Sequence, residues 1–142
     1  MIKINLVKVI TGQDLINDMI EKYGSIEQLE KLLEKDKNNG EMFSDLEDWK
    51  FFGENPEDEI TDITTILTDK LTLTNIELEL LNFIKNNNPS SIRELSRLIN
   101  EDVSNTQRRI SRLEQEGLLN LKEGIKNSKI PVVTYDKIEI AI

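Results

Sequence analysis

Residues 104 to 124 read SNTQRRISRLEQEGLLNLKEG and place Arg108, Arg109 and Arg112 within five positions. A guanidinium group presents its N–H donors in a rigid fork that fits phosphate and the guanine edge. Hydroxyls and amides, here Ser104, Asn105, Gln107 and Ser111, donate and accept at base edges. The chemistry these types suggest is recognition, with no bond made or broken. All five arginines of the chain (Arg93, Arg97, Arg108, Arg109, Arg112) fall between residues 93 and 112, although the formal net charge is -9.

Other chemistries are poorly supplied. The chain has no cysteine and no histidine, which removes disulfides, thiolate nucleophiles, Cys/His zinc sites and every histidine-based acid, base or triad. The acidic PEDEITD lacks the spacing and the glycines of a calcium loop, and reads instead as the solvated first turn of a helix. Neither a phosphate-binding glycine loop nor a dinucleotide fingerprint is present. The expectation is a protein that is not an enzyme, with no catalytic residues, no cofactor and no metal. The opening MIKINLVKVI alternates with lysine, and no run approaches the roughly 18 apolar residues of a membrane span. A cytoplasmic protein without a membrane partner is expected.

The arginines need elements to carry them. From residue 74 three helical periods follow one another, separated by short polar breaks. The first carries Ile76, Leu80, Phe83 and Ile84 and is stopped before Pro89. The second opens on a Ser91/Glu94 capping box and carries Ile92, Leu95, Leu98 and Ile99. The third starts near Asp102 to Ser104, carries Val103, Thr106, Ile110 and Leu113, and stops at Gly117. That spacing turns Ser104, Asn105, Gln107, Arg108, Ser111 and Arg112 outward, with Arg109 at the flank, nearer a phosphate or an internal pair. Arg112 and Glu116 stand at i,i+4 and could pair. The period then changes to two. Leu118–Lys122 and Lys129–Thr134 make a hairpin around Gly124 and Asn127, and Lys122, Lys126 and Lys129 along it suit a phosphate backbone.

Helix, helix, helix, hairpin is the order of a winged helix-turn-helix, in which one helix buries a stripe in its own domain and offers the other face to the major groove. Ahead of it, Ile2, Ile4 and Leu6 with Val7 and Val9 predict a strand apolar on both faces. Its natural partner is the last run, Ile138, Ile140 and Ile142, within the chain or between two chains. Helices are predicted after Gly12 and after Ser25. Met42, Phe43, Leu46, Trp49 and Phe51 suggest a third helix used for packing, and Pro56 would open a fourth through Ile60, Ile63, Ile66 and Leu67. The expected fold is α+β, mainly α with small β: a winged helix-turn-helix at residues 71–142, preceded at 1–70 by an acidic strand-helix region for dimerisation or partner binding. Residues 1–70 hold 8 Lys+Arg against 17 Asp+Glu, and residues 71–142 hold 10 against 10.

The stretch LTNIELELLNFIKNNNPSSIRELSRLINEDVSNTQRRISRLEQEGLLNL resembles the MarR/ArsR-type winged-helix regulators, with SIRELSRLI in the helix before recognition and RISRLEQEGLL at the end of the recognition helix. PVVTYDKIEIAI is similar to the end of a group of small, often archaeal, DNA-binding regulators that includes antitoxin-like members. The resemblance implies DNA contacts by Ser104, Asn105, Gln107, Arg108 and Arg112. The insert DWKFFGENPEDEITDI departs from that pattern. Two functions are therefore expected as alternatives. One is a sequence-specific regulator, a homodimeric repressor on double-stranded DNA. The other is an antitoxin or interaction module that holds a basic protein, such as a toxin, with its acidic half.

Overall fold

The computed structural model describes residues 1–142 as an α+β fold of six α-helices and five strands. It contains two compact units, Lys8–Asp62 and Met1–Val7 with Ile63–Ile142. The second unit thus gathers residues 1–7 and 63–70 together with 71–142. Strands β1 (Ile2–Thr11) and β2 (Glu59–Thr68) both run through the divisions.

The Lys8–Asp62 unit is helical. Thr11 caps α1 (Gly12–Tyr23) by accepting from the Asp14 amide at 3.2 Å, and the Asp14 carboxylate accepts from the Thr11 amide at 2.9 Å. The Thr11 amide first, and then the Thr11 hydroxyl, stabilise the ionised Asp14 carboxylate and hold it below its ordinary range. Ser25 caps α2 (Ile26–Lys35) through the Gln28 amide, and Asn39 caps α3 (Gly40–Glu54) through the Met42 amide. The core is Met19, Leu29, Leu46 and Trp49, with Met42 packed against it. Met42, Leu46 and Trp49 recur on one stripe of α3, whereas Phe43 and Phe51, expected to line the same face, are off that stripe and exposed. Gly12 is required where it stands, because a Cβ there would lie 2.6 Å from the Asn55 carbonyl oxygen.

The helix expected beyond Pro56 is a strand instead. Seven of the ten residues of β2, EITDITTILT, are isoleucine or threonine. Their branched Cβ atoms restrict χ1 and favour the pleated backbone over the helix, and this outweighs the helical spacing of Ile60, Ile63 and Leu67.

In the other unit, the sheet runs in the order β2-β1-β5, with β5 (Lys137–Ala141) antiparallel to β1 within the chain. Ile4 stands opposite Ile140 and Leu6 opposite Ile138, and alternation sends the row of Ile2, Ile4, Leu6 and Ile138 into the core while Ile140 stays exposed. That row meets α4 (Asn75–Asn87), α5 (Ile92–Leu98) and α6 (Val103–Gln115) in one cluster with Leu80, Leu81, Ile84, Leu95, Ile110 and Leu113. Three residues expected in the buried stripes, Ile76, Leu98 and Val103, are exposed. In α4 the stripe that turns inward is Glu77, Leu80, Leu81 and Ile84, at i, i+3, i+4 and i+7. Ile76 lies beside it, and a carboxylate takes the fourth place.

Gly117, at φ +81, ends α6 in the left-handed region that favours glycine. Strands β3 (Asn120–Glu123) and β4 (Lys129–Val132) then form an antiparallel hairpin, with Asn120 opposite Val132 and Glu123 opposite Lys129. The corner between β4 and β5 is pinned by polar bonds. The Tyr135 hydroxyl donates to the Leu118 carbonyl at 2.6 Å, Lys85 Nζ donates to the Tyr135 carbonyl at 2.6 Å, and the Asp136 amide donates to the Val7 carbonyl at 2.7 Å.

Candidate nucleic-acid interface

Three fully buried side chains on one stripe of α6, Thr106, Ile110 and Leu113, fix its rotation about its own axis. Ser104, Asn105, Gln107, Arg108 and Arg112 are exposed on other faces, and Arg109 and Ser111 are half-buried. Asp102 caps the helix, accepting from the Asn105 amide at 2.8 Å, and its other carboxylate oxygen accepts from the Asn105 side-chain amide at 2.8 Å. Asn105 is thus partly committed to its own helix end.

The turn between α5 and α6 is held by one acid. Glu101 Oε1 accepts from the buried Thr106 hydroxyl at 3.0 Å, and Oε2 lies 3.4 Å from Arg109 Nε. Asn100, at φ 56, makes the bend, a left-handed conformation that asparagine tolerates better than most residues. Arg109 therefore makes an internal pair. Arg112 also pairs, though not with Glu116 as the spacing suggested: Glu116 accepts from the Thr72 hydroxyl at 2.7 Å, and the Arg112 Nη2 donates to Glu77. The i,i+4 geometry was available, but Glu77 offers a carboxylate already desolvated and fixed, and charge-assisted bonds are stronger there. Arg108 has no ion pair.

Glu77, Asn105, Arg108, Arg109 and Arg112 line one open cavity of about 440 Å³. Four of the sequence-predicted site residues meet there, and Ser104, Gln107 and Ser111 are not among its lining. Nor are the hairpin lysines. Lys122 is exposed on β3, Lys126 is exposed at φ 56 in a short 3-10 turn, and Lys129 pairs across the hairpin with Glu123. Sequence reasoning missed Glu77 and Glu101. A signal existed for the first: Thr74-Asn75-Ile76-Glu77 has capping-box spacing, and Glu77 Oε2 accepts from the Thr74 amide at 2.9 Å.

The class that the fold defines is an α+β protein whose helix α6 gathers three arginines around one open cavity. Over residues 72–140 the chain is similar to the HVO_A0114 family. No curated protein and no solved structure matches the chain. No helix is long and apolar enough to cross a membrane.

Proposed function

We propose that α4, α5, α6 and the β3–β4 hairpin form a winged helix-turn-helix of MarR/ArsR type, and that the protein is a cytoplasmic, sequence-specific DNA-binding regulator that acts as a dimeric repressor and not as an enzyme. The observation that carries this reading is α6 itself, where the exposed Asn105, Arg108 and Arg112 converge on one cavity, joined at its flank by the half-buried Arg109, while the stripe of Thr106, Ile110 and Leu113 is fully buried. A helix so anchored can enter a major groove without losing its core contacts. Lys122 and Lys126, exposed on the following hairpin, suit contacts to the phosphate backbone. The test is binding to duplex DNA from upstream of its own gene over a range of salt. The reading requires log affinity to fall linearly with log salt, and affinity that is independent of salt sinks it.

Dimerisation fits the outer edge of β5, which has no partner strand and bears Ile140, 46% exposed. Two-fold antiparallel pairing about Ile138 sets Lys137 opposite Glu139 of a second copy, so the edge is complementary to itself. Two copies would then read half-sites about one helical turn, roughly 34 Å, apart.

The Lys8–Asp62 unit favours a second activity. It has 6 lysines and no arginine against 16 Asp+Glu, a surface suited to a basic protein, as in an antitoxin. The two activities are compatible in a complex that represses its own operon. Affinity capture from native extract should recover a stoichiometric basic partner, and recovery of the chain alone removes this second reading.

A further inference from the structure

Glu77 is an unusual group to find beside a DNA-contacting surface. It is 6% exposed, yet it occupies a position on the buried stripe of α4 and lines the arginine cavity. Both of its carboxylate oxygens are engaged. Oε2 accepts from the Thr74 amide and hydroxyl, and Oε1 accepts from Arg112 Nη2. A carboxylate held from both ends cannot swing aside into water. The Arg112 side chain is half exposed, 50%, and a guanidinium has five N–H donors. Its remaining donors are thus presented from a fixed position.

From this geometry we infer that Glu77 is a specificity-determining residue, and that it converts Arg112 from a general phosphate-binding cation into an oriented, charge-cancelled hydrogen-bond donor. The inference rests on the DNA-binding reading above. Non-specific affinity comes from charges that release counterions from the phosphate backbone, whereas sequence is read by donors and acceptors in fixed positions. Pairing with a buried acid removes the first contribution of Arg112 and strengthens the second. Phosphate competing for Arg112 would have to displace a carboxylate that has no solvated alternative. The protein therefore gives up affinity for random DNA, which lowers the competition from non-specific sites.

Glu77→Gln tests this, because glutamine also serves the third position of a capping box and can still bond Thr74. The measurement is fluorescence anisotropy of a labelled mixed-sequence duplex of about three helical turns across a salt series, with the full chain. Freed from its counter-charge, Arg112 should take up about one further phosphate, so E77Q should bind more tightly at low salt. The slope of log affinity against log salt should steepen by about 0.9. Glu114→Gln makes the same charge change on an exposed residue of α6 that has no arginine partner, and it should steepen the slope by only a fraction of that. Identical slopes for E77Q and the wild type, or equal steepening in E77Q and E114Q, overturn the inference while leaving the DNA-binding reading intact. Absence of any binding by the wild type overturns both. Should circular dichroism show E77Q unfolded, Arg112→Gln decides: a slope close to the wild type supports cancellation of Arg112 by Glu77, and one shallower by about 0.9 contradicts it.

Discussion

The two compact units handle charge differently. In Lys8–Asp62, 16 acids outnumber 6 lysines, and most of the acids are exposed. Its ion pairs are peripheral, as where the exposed Lys22 meets Glu41 at 3.0 Å and Asp45 at 3.4 Å. In the unit of residues 1–7 and 63–142, 12 Lys+Arg meet 11 Asp+Glu, and acids are set against particular arginines, Glu77 against Arg112 and Glu101 against Arg109. The first unit uses charge mainly as a coat, and the second adds these positioned arginine pairs to surface lysine pairs such as Lys137 with Glu139 at 2.9 Å. The difference explains why a formal net charge of -9 says little about what the arginine face can bind: at a Debye length of about 8 Å in physiological salt, the local arrangement governs contact and the total governs only weak long-range repulsion.

The sharpest way to separate the units is through their cores. Leu113 of α6 and Leu29 of α2 are both fully buried, so Leu113→Ala and Leu29→Ala should each cost about 2–5 kcal/mol in denaturant unfolding. Only L113A should also impair DNA binding at temperatures where the variant is still folded, because it loosens the packing that orients α6. Equal losses of DNA affinity in the two variants would break the distinction.

A smaller effect is expected at the one arginine of α6 without an ion pair. Arg108→Ala removes a group free to meet either a guanine edge or a phosphate, and should weaken binding by about 1–3 kcal/mol if it reads a base. A phosphate role would instead weaken binding uniformly across sequences and make the salt slope shallower by about 0.9. Comparing R108A on the upstream duplex and on a mixed-sequence duplex distinguishes these roles, and unchanged binding on both excludes Arg108 from the interface.

Capping residues give a matched pair at lower cost. Ser25 accepts from the Gln28 amide in the acidic unit, and Ser91 from the Glu94 amide at the start of α5. Each Ser→Ala change should lower stability by about 1 kcal/mol. S91A should also weaken DNA binding slightly, since α5 packs directly on α6, while S25A should leave it unchanged.

How much of this could be read from the sequence follows from the range of the forces involved. The helices at 12–23, 26–35, 75–87, 92–98 and 103–115, together with their serine caps and glycine stops, were legible because caps and stripes are local. So was the pairing of the first and last strands, because both alternate with isoleucine. The strand at Glu59–Thr68 was not legible, because helical spacing and β-branched composition compete there and the spacing points to a helix. The outward placement of Arg108 and Arg112 was legible, as was the flank position of Arg109. Their partners were not, because Glu77 lies 35 residues before Arg112, and only the packing of α4 against α6 could reveal that a capping carboxylate faces inward onto an arginine. Arg109 was expected near a phosphate or in an internal pair, and its partner Glu101 sits two turns away along the helix, across its N-cap.

The chain's two tyrosines lie one in each unit. Tyr135 is buried, and that burial pushes its hydroxyl up to about 12 from an ordinary value of 10.0. Tyr23 is raised by burial first and then by its hydrogen bond to Asp45 at 2.5 Å, with Lys22 beside it acting in the opposite direction. A raised folded-state value means that the native state keeps a proton which the unfolded chain has already released. Stability from both groups is therefore whole below pH 10 and is lost as pH rises, for Tyr135 through the interval from 10 to 12. Tyrosinate absorbance should show two native phases above the ordinary value, the later near 12, and Tyr135→Phe should abolish the later one while leaving that of Tyr23. The same variant loses the bond to the Leu118 carbonyl, at a cost of about 1 kcal/mol near neutral pH, and its stability should fall less steeply than that of the wild type between pH 10 and 12. If the later phase persists in Y135F, the burial of Tyr135 is not what sets it, and the contrast between a tyrosine raised by burial alone in one unit and one set by burial together with neighbouring charges in the other fails.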